Sequence, residues 1–125
     1  MNENELSNIV IGAAIEVHQS LGPGLLETAY HQCLARELSL RDIAFEMEKP
    51  IPLKYKGISL DCGYRLDFLI EGKMIVELKA TEKILPIHEA QMRTYLKLTG
   101  CKLGLILNFN VPVLRDGIKR LALEL

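Results

Sequence analysis

Three side chains near the middle of the chain, Asp67, Glu77 and Lys79, have the types and spacing for phosphoryl chemistry. They lie on two short runs whose even-numbered positions are apolar: Leu66, Phe68 and Ile70, then Met74, Val76 and Leu78. Such alternation predicts half-buried strands, and Glu71-Gly72-Lys73 between them predicts a hairpin turn. Residues opposite one another in an antiparallel pair share a face, so apolar positions must meet apolar positions. The shortest register that achieves this pairs Ile70 with Met74, Phe68 with Val76 and Leu66 with Leu78. It also sets Asp67 against Glu77 and Arg65 against Lys79. Two carboxylates so placed repel unless positive charge lies between them. A hard divalent cation is the natural solution, because Mg²⁺ takes one or two carboxylates and keeps several waters. Lys79, one step along, would hold an attacking water or offset charge on a phosphoryl group. The competing reading is the solvated side of a two-faced sheet, and a pattern this short does not separate the two.

Two helical pairs bear on the choice. Gln91 and Tyr95 are spaced to share a helix face, and Gln with Tyr suits a phosphate or a base edge. The simpler reading puts Tyr95 in the core. Glu27 and Tyr30 follow Gly24 near the start of another helix. There an acid is favoured by the helix dipole and Tyr30 would pack inward. The functional reading aims Glu27 at the hairpin carboxylates as a third acidic group. His18 reads as structural. Cys33, Cys62 and Cys101 are widely spaced and without a CxxC pair, which excludes a zinc or iron–sulfur pattern and predicts free thiols in a reducing cytoplasm.

The elements that must position these residues follow from periodicity. Ile9, Ala13, Val17 and Leu21 predict a helix over 4–21, ended by Gly22-Pro23-Gly24. Tyr30, Leu34 and Leu38 predict a second over 25–40. Ile51, Leu53 and Tyr55 then alternate, with Pro50 and Pro52 marking an edge strand or an irregular start. Lys56-Gly57 makes a two-residue turn. A long even stripe from Ile58 through Leu60, Cys62 and Tyr64 to Ile70 reads as one strand that bends at Gly63. Pro86 opens a third helix, ended by Gly100. Leu103 to Phe109 is an apolar strand covered on both faces, and 118–125 is a last strand or a short helix. The order ααβββαβ predicts a mixed α+β fold with helices covering a central sheet.

With 125 residues, 49% hydrophobic and 25% charged, the chain has the composition of a single globular domain over 1–125. No apolar run approaches the ~20 residues of a membrane helix, and the acidic N-terminus predicts no secretory signal. A net charge of −1 excludes a generic polycation. The charge is uneven: residues 1–48 hold eight acids against Arg36 and Arg41, and the remainder holds thirteen Lys or Arg against eight acids.

Taken together, these residues resemble the GxxExxY family of the PD-(D/E)XK nuclease superfamily. The signature is Gly24-x-x-Glu27-x-x-Tyr30, preceded by Leu21-Gly22-Pro23. Further matches are Arg65-Leu66-Asp67-Phe68-Leu69, Ile75-Val76-Glu77-Leu78-Lys79-Ala80, Pro86-Ile87-His88-Glu89-Ala90-Gln91 and Tyr95-Leu96. Leu66 stands where the superfamily name has Pro. The resemblance implies a restriction-endonuclease-like α/β fold, a mixed sheet with core order αβββαβ and an extra N-terminal helix. It implies that Asp67 and Glu77 bind Mg²⁺ or Mn²⁺ with the Leu78 carbonyl and Glu27, that Lys79 is the catalytic lysine, and that Gln91 and Tyr95 match a QxxxY motif. Tyr30 and Arg65 join Gln91 and Tyr95 as expected substrate contacts. The expectation is a metal-dependent nuclease acting on DNA in the cytoplasm. The alternative is a silent nuclease-fold module that binds nucleic acid or a protein. The intact Asp67, Glu77 and Lys79 favour catalysis. Lys54, Lys56, Lys83 and Arg93 are further candidates for backbone phosphates. So small a domain has little surface for a duplex, which points to a homodimer or a larger partner.

Overall fold

The computed structural model describes residues 1–123. Helices α1 (Glu3–Leu21) and α2 (Glu27–Leu40) come first, followed by strands β1 (Phe45–Pro50), β2 (Leu53–Tyr55), β3 (Ile58–Leu60), β4 (Arg65–Ile70) and β5 (Met74–Lys79). Helix α3 (Pro86–Thr99), β6 (Leu103–Asn108), a 3₁₀ turn (Leu114–Gly117) and β7 (Ile118–Ala122) complete the chain. Five strands form one sheet in the order β1-β4-β5-β6-β7, and β2 with β3 forms a separate hairpin. β5 and β6 run parallel across α3, and the other neighbours are antiparallel. This is the mixed α+β architecture expected. None of the described helices is long and apolar enough to cross a membrane.

The sequence explains the layers. α1 starts at Asn2, whose Oδ1 accepts from the Glu5 amide at 2.8 Å. It presents Leu6, Val10, Ala13 and Val17 along one stripe. α2 adds Leu34 and Leu38, and both helices cover the sheet face formed by Phe68, Ile70, Val76 and Leu105. α3 covers the opposite face, packing Met92, Tyr95 and Leu96 on Leu66, Ile75 and Ile106. β5 and β6 are sandwiched between the two layers, so Met74 to Leu78 and Leu103 to Asn108 are buried throughout.

The structure corrects the strand expectations in three places. The strand expected over 51–55 is β2, which pairs only with β3, and the edge of the main sheet is a further strand, β1, that the alternation did not reveal. Its inward residues are few, Phe45 and Met47 between charged neighbours, so the alternation is short. The stripe 58–70 is two elements, because the chain leaves extended pairing over 61–64, where Asp61 Oδ1 accepts from the Gly63 amide at 3.0 Å. Ile58, Leu60 and Tyr64 are accordingly exposed. Third, Leu66 packs under α3 while Phe68 and Ile70 pack under α1 and α2, so β4 changes faces at Asp67. The β4–β5 pairing covers Phe68↔Val76 to Ile70↔Met74, and the expected pairs Asp67–Glu77, Leu66–Leu78 and Arg65–Lys79 are not made. At the C-terminus 118–122 is a strand, and 124–125 lie outside the described residues.

Tyr30 is wholly buried and stacks on Phe109 with ring centroids 4.5 Å apart. Its hydroxyl donates to the Gly22 carbonyl at 2.6 Å and accepts from the Leu25 amide at 3.2 Å. The expected substrate contact at Tyr30 is therefore not met: the side chain clasps the loop between α1 and α2. Gly22, at φ 72°, ends α1 in a backbone conformation that favours glycine. Tyr30→Phe leaves both loop groups without a partner. It should lower the free energy of unfolding by about 1–2 kcal/mol, read as a lower urea midpoint at unchanged m-value.

Candidate metal centre

Where β4 and β5 stop pairing, two carboxylates take over. The Asp67 amide donates to Glu77 Oε2 at 2.7 Å, and the Leu78 amide donates to Asp67 Oδ2 at 2.8 Å. Asp67 and Glu77 thus meet as expected, but through each other's strand amides. Lys79 turns its carbonyl the other way, to accept from the Phe109 amide at 2.9 Å. Strand alternation then directs the Leu78 carbonyl, like its amide, towards Asp67.

α2 supplies the next donors. Glu27 opens the helix, and His31 lies one turn on. His31 Nε2 is 3.3 Å from Glu27 Oε1 and 3.4 Å from Asp67 Oδ2, and its Nδ1 is 3.6 Å from Glu48 Oε1 on β1. One donor atom each from Glu27, His31 and Asp67 all fall within 4.8 Å of one another, a group that could hold a metal ion. The His31 side chain is 11% exposed and leans on Phe68.

The electrostatics fit a cation. Burial, then the neighbouring Asp67 charge, push the Glu77 carboxyl up to about 8, against the pull of the Asp67 amide and Lys79. Its hydrogen bond to Asp67, and the charges of Asp67 and Glu27, raise His31 against its burial. Burial raises Tyr95, and the Glu77 and Asp67 charges raise it further. Burial and the Lys79 charge lower His88, whose Nδ1 accepts from the Leu85 amide at 3.0 Å. Lys79 enters none of the ion pairs among the described residues. A buried carboxylate held near another, with an unpaired lysine beside it, is an oxygen-rich donor set suited to a hard divalent ion.

Other expected residues take their places around this centre. Gln91 and Tyr95 line one hollow of about 220 Å³ with Leu53, Tyr64, Thr94 and Leu98, so the two share a helix face beside β2. Arg65 is exposed at the start of β4, opposite Pro50. His18 is structural, its Nε2 2.8 Å from the Val111 carbonyl. The sequence reading missed His31, although its spacing from Glu27 puts both on one helix face. It also missed Asn108. That buried side chain accepts from the Thr81 and Asn110 amides and donates to the Thr81 carbonyl at 2.9 Å. Asn108 pins the chain just beyond Lys79.

The family model of the PD-(D/E)XK nuclease superfamily matches residues 4–121. The chain belongs to that superfamily, and the fold and the acidic group at the end of β5 accord with membership. Comparison with curated proteins and with solved structures gives no match.

The raised Glu77 carboxyl has a definite linkage. The folded state keeps a proton that the unfolded state has lost, so this stability is full below the ordinary value of 4.5 and disappears as pH rises through about 8. His31, also raised, acts in the same direction above its usual 6.5. In EDTA the melting temperature should fall from pH 6 to pH 9, by an amount on the order of a few kcal/mol in stability. Glu77→Gln should flatten that fall, and thermal unfolding across the pH series checks it.

Proposed function

We propose that this chain is a divalent-metal-dependent nuclease of the GxxExxY type that hydrolyses phosphodiester bonds in DNA. The observation that carries the reading is the meeting of Asp67 and Glu77 at the end of β5, with Glu27 beside Asp67, and with Lys79, in no ion pair among the described residues, two positions beyond Glu77. Asp67, Glu77, Glu27 and the Leu78 carbonyl hold Mg²⁺ or Mn²⁺. The ion, when bound, polarises the scissile phosphate and acidifies a water.

The rest is work for the chain's own groups. The Lys79 ammonium orients the attacking water and offsets charge as it develops on the phosphoryl oxygens. Gln91 and Tyr95 hold the strand from the hollow beside α3. Arg65 and the exposed Lys54 and Lys56 neutralise backbone phosphates. A second copy or a larger partner extends the surface that grips the duplex. The three free thiols fit a cytoplasmic setting.

The test is a cleavage panel with labelled single-stranded, double-stranded and branched DNA, and RNA, in Mg²⁺, Mn²⁺ or EDTA. Cleavage of DNA that needs the ion, and that drops about 100-fold or more in both Glu77→Ala and Lys79→Ala, is the expected outcome. Cleavage that persists in both variants would assign the activity to a contaminant. Folded protein that cleaves nothing would favour a binding module.

A further inference from the structure

We propose that the β2–β3 hairpin is an arm that grips single-stranded DNA, with a base stacked on Tyr55 and the phosphates drawn to Lys56 and Lys54. This rests on the nuclease reading above and adds the form of its substrate: the strand that reaches the site is unpaired. The hairpin stands away from the main sheet, since β2 and β3 pair only with each other. Its root is fixed. Ile51 is buried against the α3 layer, and its amide donates to the Tyr64 carbonyl at 2.9 Å. Beyond the root, Leu53 and Tyr55 lie opposite Leu60 and Ile58 and share one face of the ribbon. Tyr55 is 59% exposed and Ile58 54%. Little of that face is removed from water, so it adds little to stability.

Charge identifies the occupant. Residues 49–60 hold three lysines and no acid. Lys54 and Lys56 enter none of the ion pairs among the described residues. Lys56 Nζ lies 5.4 Å from the centre of the Tyr55 ring. Lys56 takes a left-handed φ of 44° in the two-residue turn, where Asn, Asp or Gly suits the backbone better. The turn thus carries a charge beside an aromatic face. Residues 54–59 line a concavity of about 380 Å³. Ring and cations together match a single strand, whose bases offer their π-faces while its phosphates run alongside. A second copy of the chain is a poorer match, because a two-fold contact through so small a face would crowd four lysines together.

The arm is also placed for the chemistry. β4 and β5 are antiparallel, so the Arg65 end of β4 lies at the Lys79 end of β5. The hairpin returns to the sheet through Tyr64, immediately before Arg65. Leu53 and Tyr64 share their hollow with Gln91 and Tyr95, and the Tyr95 hydroxyl feels the Glu77 and Asp67 charges. The hollow therefore connects the arm to the carboxylates.

The test measures binding by the full chain in EDTA, which separates it from cleavage. Fluorescein-labelled oligothymidylate and a blunt DNA duplex are titrated by anisotropy. The native chain should prefer the single strand about tenfold or more. Tyr55→Ala should lose about tenfold in single-strand affinity, and Tyr55→Phe, which keeps a ring, should retain it. Lys56→Gln should lower the slope of log affinity against log salt by about 0.7. Both side chains are exposed, so these variants leave the core intact. The chain has four tyrosines and no tryptophan, so stacking is also read directly. Tyrosine emission should fall on binding, and fall less in Tyr55→Phe. A duplex bound as tightly as the single strand, binding to neither, or unchanged affinity in Tyr55→Ala would overturn the arm and leave the nuclease reading to its own cleavage panel. Tight single-strand binding that depends on Tyr55, in a chain that cleaves nothing with Mg²⁺ or Mn²⁺, would support the arm and overturn the nuclease reading.

Discussion

Between Asp67 and Leu78 the sheet is held by side chains in place of backbone pairing. Each strand lends a carboxylate to an amide of the other, Glu77 to Asp67 and Asp67 to Leu78. The exchange keeps β4 and β5 together where their backbone pairing ends, and the candidate site lies at that point. Everything nearby depends on it. β4 changes faces there, α2 brings its first turn to the opening, and Asn108 ties down the chain beyond Lys79.

The arrangement is costly for a protein without a cation. Glu27, Glu48, Asp67 and Glu77 converge, with His31 and Lys79 as the compensating charges. A carboxylate as buried as Glu77 keeps its proton unless positive charge arrives. Positive charge must therefore reach Glu77 if it is to ionise beside Asp67. A site of this kind is unlike a structural ion pair, in which each buried acid has its own base.

Much of this was legible in the alternation of residues 66–78, because register on a half-buried sheet is fixed by which side chains must meet. That logic brought Asp67 to Glu77. As a strand register it held only to Phe68–Val76 and failed from Asp67–Glu77 on, because a periodicity argument assumes that backbone pairing continues wherever side chains alternate. The carboxylates themselves ended the pairing. The same assumption joined 58–70 into one strand, although an Asp61 side chain had taken over the Gly63 amide. Glu48 and Asn108 were hidden for another reason. They act from strands distant in sequence, and nothing local distinguishes a Glu on an edge strand from a solvated one. His31 was within reach from its spacing to Glu27. Tyr30 shows the reverse: a signature residue whose place in the motif is explained by loop closure.

The carboxylate exchange has a bearing on how the family's residues are interpreted across evolution. Asp67 and Glu77 hold the sheet together, so a relative without hydrolytic activity would still be under pressure to retain them. Their persistence alone is an ambiguous mark of activity. Lys79 carries no such second duty, since its side chain pairs with no carboxylate among the described residues and its backbone carbonyl would bond Phe109 whatever the side chain. In a lineage drifting towards a purely architectural role, the lysine is free to vary first, and its retention is the sharper sign that selection still acts on turnover.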